Sequence, residues 1–342
     1  MKFKMLQIID VSSYLYAGMG TRFGATAQYK GIPTGGIYGV LQQVAMTLRR
    51  KDIPVLIFDS VTNAREIMPE YKGSRSRNPK VRFQNDLIYR YLRPALNNTF
   101  KVEGYEADWI AFNLAEKYRA NDKLGFCYRT TDYDWCHNIV SKRDIMVPSV
   151  GGYAEVTTET FERVFSDRNY RVPLNSLTAK KCFMGDKSDG IAPFKYPGSY
   201  SNEDLMNIFV GYCVNNNLDN RSKETMQEFI YKFGNEFGDY KEELLKRSEI
   251  LYPRRMDDLD YLDLQIIPKD IKLMSTICSI TGCKSIAKRL GINFNEDMGE
   301  LQREVLREYQ QKYSIEKTQL FEEEINNTNE NVQIPSRGGF NL

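Results

Sequence analysis

The chain has 342 residues, 42% apolar and 12% aromatic, enough for one large domain or two modest ones with sizeable cores. A single histidine, His137, and six cysteines with no Cys-x-x-Cys pair argue against a zinc centre, and a formal net charge of +2 says little because the charges are unevenly placed. No run approaches the roughly 18 apolar residues of a membrane span, and the opening MKFKMLQIIDVSS is too short in apolar length for a signal peptide. The cysteines are therefore expected to be buried, reduced thiols in a cytoplasmic protein, and His137 a surface or satisfied core histidine.

In chain order, Met5–Ile9 is a buried-strand run that ends at Asp10. YAGMGTRFG (16–24) mimics a phosphate-binding glycine loop without its Lys-Ser/Thr ending and is expected to be a mobile loop facing nucleic acid. PTGGIYGVLQQVAMTLRR (33–50) has helical spacing at Ile37, Leu41, Val44, Ala45 and Leu48. IPVLIFD (53–59) is a second strand ending in an acid, and residues 82–97 are expected to be helical. YEADWIAFNLAEKY (105–118) is a helix with acids in its first turn, and KLGFCYRTTDYD (123–134) a third strand that runs into acids. This alternation predicts an α/β fold, a mostly parallel central sheet with helices on both faces. Helical spacing returns at 203–217, 222–233, 239–250 and 298–313. The expected organisation is a domain over 1–200, a C-terminal helical subdomain over 201–315, and a tail over 316–342. With net charge −3 and many asparagines, that tail cannot bury a core and is expected to be disordered.

Ligands of such sheets bind beyond the carboxyl ends of the strands. Asp10, Asp59, Asp132 and Asp134 all lie there, so they should converge. Glu106 and Asp108 occupy a helix's first turn, where the backbone favours anions. Asp186 and Asp189, three apart in FMGDKSDGI, can face the same way from a helical turn. A carboxylate cluster without a histidine needs hard divalent cations, Mg²⁺ or Mn²⁺. Two such ions leave it anionic, so a phosphate substrate needs further positive charge from the protein. Residues 65–93 supply Arg65, Lys72, Arg75, Arg77, Lys80, Arg82, Arg90 and Arg93 against Glu66, Glu70 and Asp86, a net of +5, with Tyr71, Phe83, Tyr89 and Tyr91 interleaved. Cations for phosphates and rings for unpaired bases suit a nucleic-acid strand.

These motifs, in this order over about residues 7–191, resemble the 5′ nucleases: flap endonucleases, the 5′-nuclease domain of bacterial DNA polymerase I, and phage 5′–3′ exonucleases including phage ribonuclease H. IIDVSSYLY is similar to the family's D-x-S-S-Y-L-Y, and PTGGIYGVL to P-T-G-x-x-Y-G-V-L. FDS, Arg65 and EYKGSR resemble F-D…R…Y-K-x-x-R; YEADW, TTDYDW and MGDKSDGI stand for E-A-D-D, S-x-D-x-D and G-D-x-S-D-N-I. Trp109 replaces the second aspartate of E-A-D-D, and APFKYPGSYSN (192–202) lacks the helix-hairpin-helix G-x-G, a departure shared with phage ribonuclease H.

The resemblance implies a PIN-like fold with a helical arch at about 65–97. It implies metal-site roles for Asp10, Asp59, Glu106, Asp108, Asp132, Asp134, Asp186 and Asp189, and catalytic roles for Lys72 and Arg75. It implies DNA contacts through Gly35, Gly36, Arg65, Tyr71, Arg77, Lys80 and Arg82. The implied activity is two-metal-ion (Mg²⁺, with Mn²⁺ substituting) 5′–3′ exonuclease and flap endonuclease hydrolysis that leaves 5′-phosphates. The expected substrates are DNA 5′ ends, 5′ flaps and RNA–DNA hybrids, and the expected setting is primer removal by a phage-encoded monomer in the infected host's cytoplasm. The tail would then be free to bind a single-stranded-DNA-binding or clamp protein. The alternative is a catalytically weak branched-DNA-binding replisome protein that keeps the fold. A Mg²⁺ phosphatase would want D-x-D where the chain has Asp10-Val11-Ser12.

Overall fold

The structure, a computed structural model, describes residues 4–73, 78–148, 155–165, 172–196, 198–265 and 270–312. The strands in chain order are β1 (Lys4–Asp10), β2 (Gln28–Tyr29), β3 (Ile32–Pro33), β4 (Ile53–Ile57), β5 (Thr99–Phe100), β6 (Leu124–Arg129) and β7 (Asp144–Val147). Five of them form one sheet in the order β5-β4-β1-β6-β7, and every neighbouring pair is parallel. β2 and β3 make a separate antiparallel ribbon.

β1 is central because it is apolar on both faces, as a strand covered on both sides must be. Its alternate residues enter different cores. Leu6 and Ile8 join Ile53, Val55 and Ile57 of β4 on one side, under the helix Ala107–Tyr118. Ile9 joins Leu56 and Phe58 on the other, under the helices Val11–Met19, Gly35–Arg49 and Pro79–Leu92. Helices therefore lie on both faces of a parallel sheet.

The C-terminal helices divide between these cores. Leu205, Phe209, Phe229, Ile230 and Leu244 enter the first. Ile277, Ile286, Val305 and Tyr309 enter the second, the last two from a helical run over 299–312.

Residues 16–24 differ from the loop expected there. They belong to two helices, Val11–Met19 and Arg22–Thr26, and Thr21 caps the second by accepting the Gly24 N–H at 2.9 Å. The glycines serve close packing within the chain. A β-carbon on Gly35 would lie 2.1 Å from the Gly24 carbonyl oxygen, and one on Gly24 would lie 1.8 Å from that of Gly18. All six cysteines are buried and free. His137 is a core residue set edge-on against Phe112. Burial lowers its pKa to about 3, so the ring is neutral at physiological pH, and its Nε2 finds no partner among the described residues. It is thus buried but only partly satisfied.

Candidate active site

Local hydrogen bonding fixes several of the acids near the carboxyl edge of the sheet. Asp10, the last residue of β1, caps the helix Val11–Met19: its Oδ1 accepts the Ser13 N–H at 3.0 Å. Its Oδ2 accepts the Thr130 hydroxyl at 2.7 Å, and the same hydroxyl oxygen accepts the Asp132 N–H at 2.9 Å. One side chain after β6 thereby holds two acids together. Asp59, two residues past β4, accepts the Ala107 N–H at 3.0 Å. That bond fixes the start of the helix Ala107–Tyr118, which carries Glu106 and Asp108. Asp132 accepts the Asp134 N–H at 3.0 Å. Asp186 opens the turn Lys187–Asp189 and accepts both the Ser188 N–H (2.8 Å) and the Ser188 hydroxyl (2.5 Å). Asp134, Asp186 and Asp189 offer carboxylate oxygens that lie within 4.8 Å of one another.

Two ammonium groups enter this cluster. Lys72 donates to Glu106 Oε2 at 2.7 Å, and the Tyr71 hydroxyl donates to the same oxygen at 3.1 Å. Lys72 sits at φ 52°, a left-handed backbone unusual for a lysine. Three bonds hold it there: its N–H donates to the Asp189 carbonyl (2.8 Å), and Arg65 donates to the carbonyls of Tyr71 (3.3 Å) and Lys72 (2.6 Å). Backbone strain sustained by its surroundings is typical of functional sites. The second ammonium is Lys181, from the helix Leu177–Met184; it bridges Asp134 and Asp186.

Sequence reading missed Lys181. Its only trace is a lysine one helical turn before Gly185, at the start of the MGDKSDGI motif.

The electrostatics show how crowded the site is. Burial, then the Asp59 carboxylate, pushes Asp10 from its ordinary 3.8 to about 7. Burial and Glu106 hold Asp108 well above the usual range. Burial and Asp134 also raise Asp132, whose outer edge faces solvent and tempers the effect. Burial raises Glu106 against the pull of Lys72. Burial alone would lower Lys72, but Glu106, with Asp108 and Asp189 behind it, more than offsets that and keeps it charged. Burial would raise Asp186, and the Lys181 ammonium overrides it.

The donor set is all oxygen, and burial holds Asp10, Glu106, Asp108 and Asp132 above the usual carboxylate range despite two ammoniums. Such a set fits hard divalent cations, Mg²⁺ or Mn²⁺.

The nucleic-acid contacts expected from sequence fare differently. Arg75 and Arg77 lie outside the described residues, as does the tail from 313 onward. Tyr71 is only 4% exposed, so its ring cannot stack on a base; its hydroxyl serves Glu106 instead. Phe83 is equally buried and packs against Tyr309. Arg65 spends its donors on carbonyls of the chain. Gly35 and Gly36 face the protein rather than an open surface, and the Gly36 and Ile37 N–H groups both donate to the buried Gln84 Oε1, at 2.9 and 3.1 Å. Lys80 is half-buried and Arg82 exposed on the helix Pro79–Leu92. Arg90 on the same helix is neutralised by a two-pronged pair with Glu308, both contacts at 2.9 Å. Trp109 is buried against Tyr105, a packing residue where an acid stands in the motif. In DDLDYLD (257–263), Asp257, Asp258, Asp260 and Asp263 are exposed.

Residues 5–166 match the family model for the 5′-3′ exonuclease, N-terminal resolvase-like domain. Over that stretch the chain is similar to the N-terminal domain of the 5′-3′ exonucleases. The match spans a little under half the chain and contains six of the eight acids; Asp186 and Asp189 lie beyond it. No curated protein matches the chain significantly.

Among solved structures, T5 5′-exonuclease with bound zinc is 16% identical, with 84% of this chain and 97% of that one aligned at a TM-score of 0.46. The flap endonuclease-1 of Methanococcus jannaschii is 15% identical over 85% and 91% at 0.49. The Rad2 catalytic core in complex with DNA substrate is 12% identical over 84% and 91% at 0.48. Likenesses this loose transfer no residue roles.

Proposed function

We propose that this protein is a Mg²⁺-dependent 5′–3′ exonuclease and flap endonuclease that hydrolyses phosphodiesters at DNA 5′ ends, at 5′ flaps and in RNA–DNA hybrids. The observation that carries this reading is the convergence of the acids, with Lys72 among them, on the carboxyl edge of the parallel sheet. Asp10, Asp59, Glu106, Asp108, Asp132, Asp134, Asp186 and Asp189 would hold two magnesium ions. Bound there, the ions would activate the attacking water and stabilise charge on the phosphate.

The chain's own residues do the rest. The Thr130 hydroxyl and the Ala107 N–H fix the acids before substrate arrives, so little reorganisation is left for the reaction. Lys72, held at the rim by Asp189 and Arg65, presents a full positive charge beside the carboxylates. With Glu106 engaged as an ion ligand, that charge would be available to a phosphate. Arg75, three residues further along the sequence, would add a second cation. Primer removal during phage replication, in the host cytoplasm, is the setting such an activity suits.

The test is cleavage of 5′-end-labelled flap and RNA–DNA substrates with Mg²⁺ and with EDTA. Short 5′-derived products that need Mg²⁺ are expected on both. A protein that binds branched DNA but cuts neither substrate would overturn the proposal in favour of a non-catalytic role.

A further inference from the structure

We propose that Lys181 is a built-in cation of the acid cluster: its ammonium occupies the place between Asp134 and Asp186 that a second divalent ion would take. The protein then binds one ion tightly and admits another only by displacing Lys181. This rests on reading the acids as a divalent-cation centre.

Three features support the assignment. First, Asp134, Asp186 and Asp189 converge closely enough for a single cation to touch all three, and Lys181 Nζ already contacts two of them. Second, Lys181 is delivered by a rigid element. Its neighbours Cys182 and Phe183 are fully buried, and Arg247 donates to the Cys182 carbonyl at 3.0 Å. Withdrawing the helix would break these contacts, whereas bending the lysine stem breaks none of them. Third, the positive charge is shared unevenly. Among the described residues the one ion pair to Asp10, Asp59, Glu106, Asp108 or Asp132 is Lys72 on Glu106, whereas Lys181 contacts two acids of the compact trio and acts on Asp132 only from a distance. An ion entering the trio meets a unit positive charge about 4 Å away, a repulsion that costs at least tenfold in affinity even with strong dielectric screening. Among the described residues no ion pair reaches Asp10, Asp59, Asp108 or Asp132, so an ion held by those acids displaces no ammonium.

Lys181 could instead be a structural tie between its helix and the turn Lys187–Asp189. The two roles separate under metal titration of the full chain. Mn²⁺ binding to the wild type, Lys181→Met and Lys181→Arg is followed by electron paramagnetic resonance, with thermal melts in parallel. The wild type and Lys181→Arg should show one tight Mn²⁺ and one weak. In Lys181→Met the second ion should bind at least about tenfold more tightly, and added Mn²⁺ should raise its Tm more than it does in the wild type. If Lys181→Met does not fold, Lys181→Gln removes the charge while keeping a donor for both carboxylates. Equal affinity for two ions in the wild type, or a neutral variant whose second ion binds no more tightly, would overturn the proposal. Absence of Mn²⁺ binding in every variant would be a different failure, that of the metal-centre reading itself, and would take this proposal with it.

Discussion

At the residue scale, Asp10 shows what the cluster costs the fold without metal. Its carboxyl titrates at about 7 in the folded chain, against an ordinary 3.8. A raised carboxyl pKa means that the folded state holds a proton the unfolded state has released. Below about 3.8 both states are protonated and there is no penalty. As pH rises from there towards 7 the metal-free protein loses stability, and above 7 the full penalty applies. Asp10→Asn removes the titration and keeps an amide oxygen for the Ser13 N–H, while the Thr130 hydroxyl changes from donor to acceptor at this contact. In EDTA the variant should melt above the wild type at pH 8, and the gap should close as pH falls to 4. Saturating Mg²⁺ should reverse the order, because the wild type gains a ligand that the variant lacks. An Asp10→Asn melting point that tracks the wild type at every pH in EDTA would show that Asp10 carries no such burden.

At the scale of elements, the crossing of Val11–Met19, Arg22–Thr26 and Gly35–Arg49 depends on glycines and on Gln84. Gln84 is fully buried and accepts two N–H groups at the start of Gly35–Arg49. Gln84→Leu keeps most of the volume but leaves those donors dry, which should cost about 1–3 kcal/mol in urea unfolding. Gly35→Ala should cost at least as much, because its methyl group meets backbone that cannot step aside. This junction also marks the limit of what the sequence reveals. The strands that end in Asp10 and run towards Asp59 and Asp132 were legible because an apolar run closed by acids is a local pattern. So was the helix Gly35–Arg49, from its spacing. Residues 16–24 were not, because a glycine-rich stretch looks like a loop until its packing partners, distant in sequence, are known. β5 and β7, at two and four residues, are too short to show a period. The acids could be named from motif order, but Lys181 could not, because its role depends on a contact between a helix and two separate turns.

At the scale of the whole molecule, the formal +5 of residues 65–93 overstates the charge on offer to a nucleic acid. Lys72 is spent on Glu106 and Arg90 on Glu308 in the free protein. Lys80, Arg82 and Arg93 on the helix Pro79–Leu92 and its cap, with Arg75 and Arg77, are the candidates for phosphate contact. Four or so contacts imply a log–log dependence of affinity on salt with a slope of roughly −3 to −4. Lys72 belongs to a different class from these. Its ammonium lies inside the acid cluster, so its charge should matter most when negative charge grows on the phosphate. Lys72→Ala should lower the single-turnover rate on a 5′-flap substrate by on the order of 100-fold, the range for losing one preorganised electrostatic contact, with little change in affinity. Arg82 is exposed on the helix Pro79–Leu92, outside the acid cluster, and should act mainly through the phosphates of bound substrate. Arg82→Ala should weaken binding a few-fold and reduce the salt slope by about one, with the rate at saturation unchanged. Single-turnover rates at saturating substrate, together with binding measured from low to moderate salt, separate the two. If Lys72→Ala loses affinity rather than rate, or Arg82→Ala loses the larger share of rate, the reacting phosphate does not sit against the Glu106 side of the cluster.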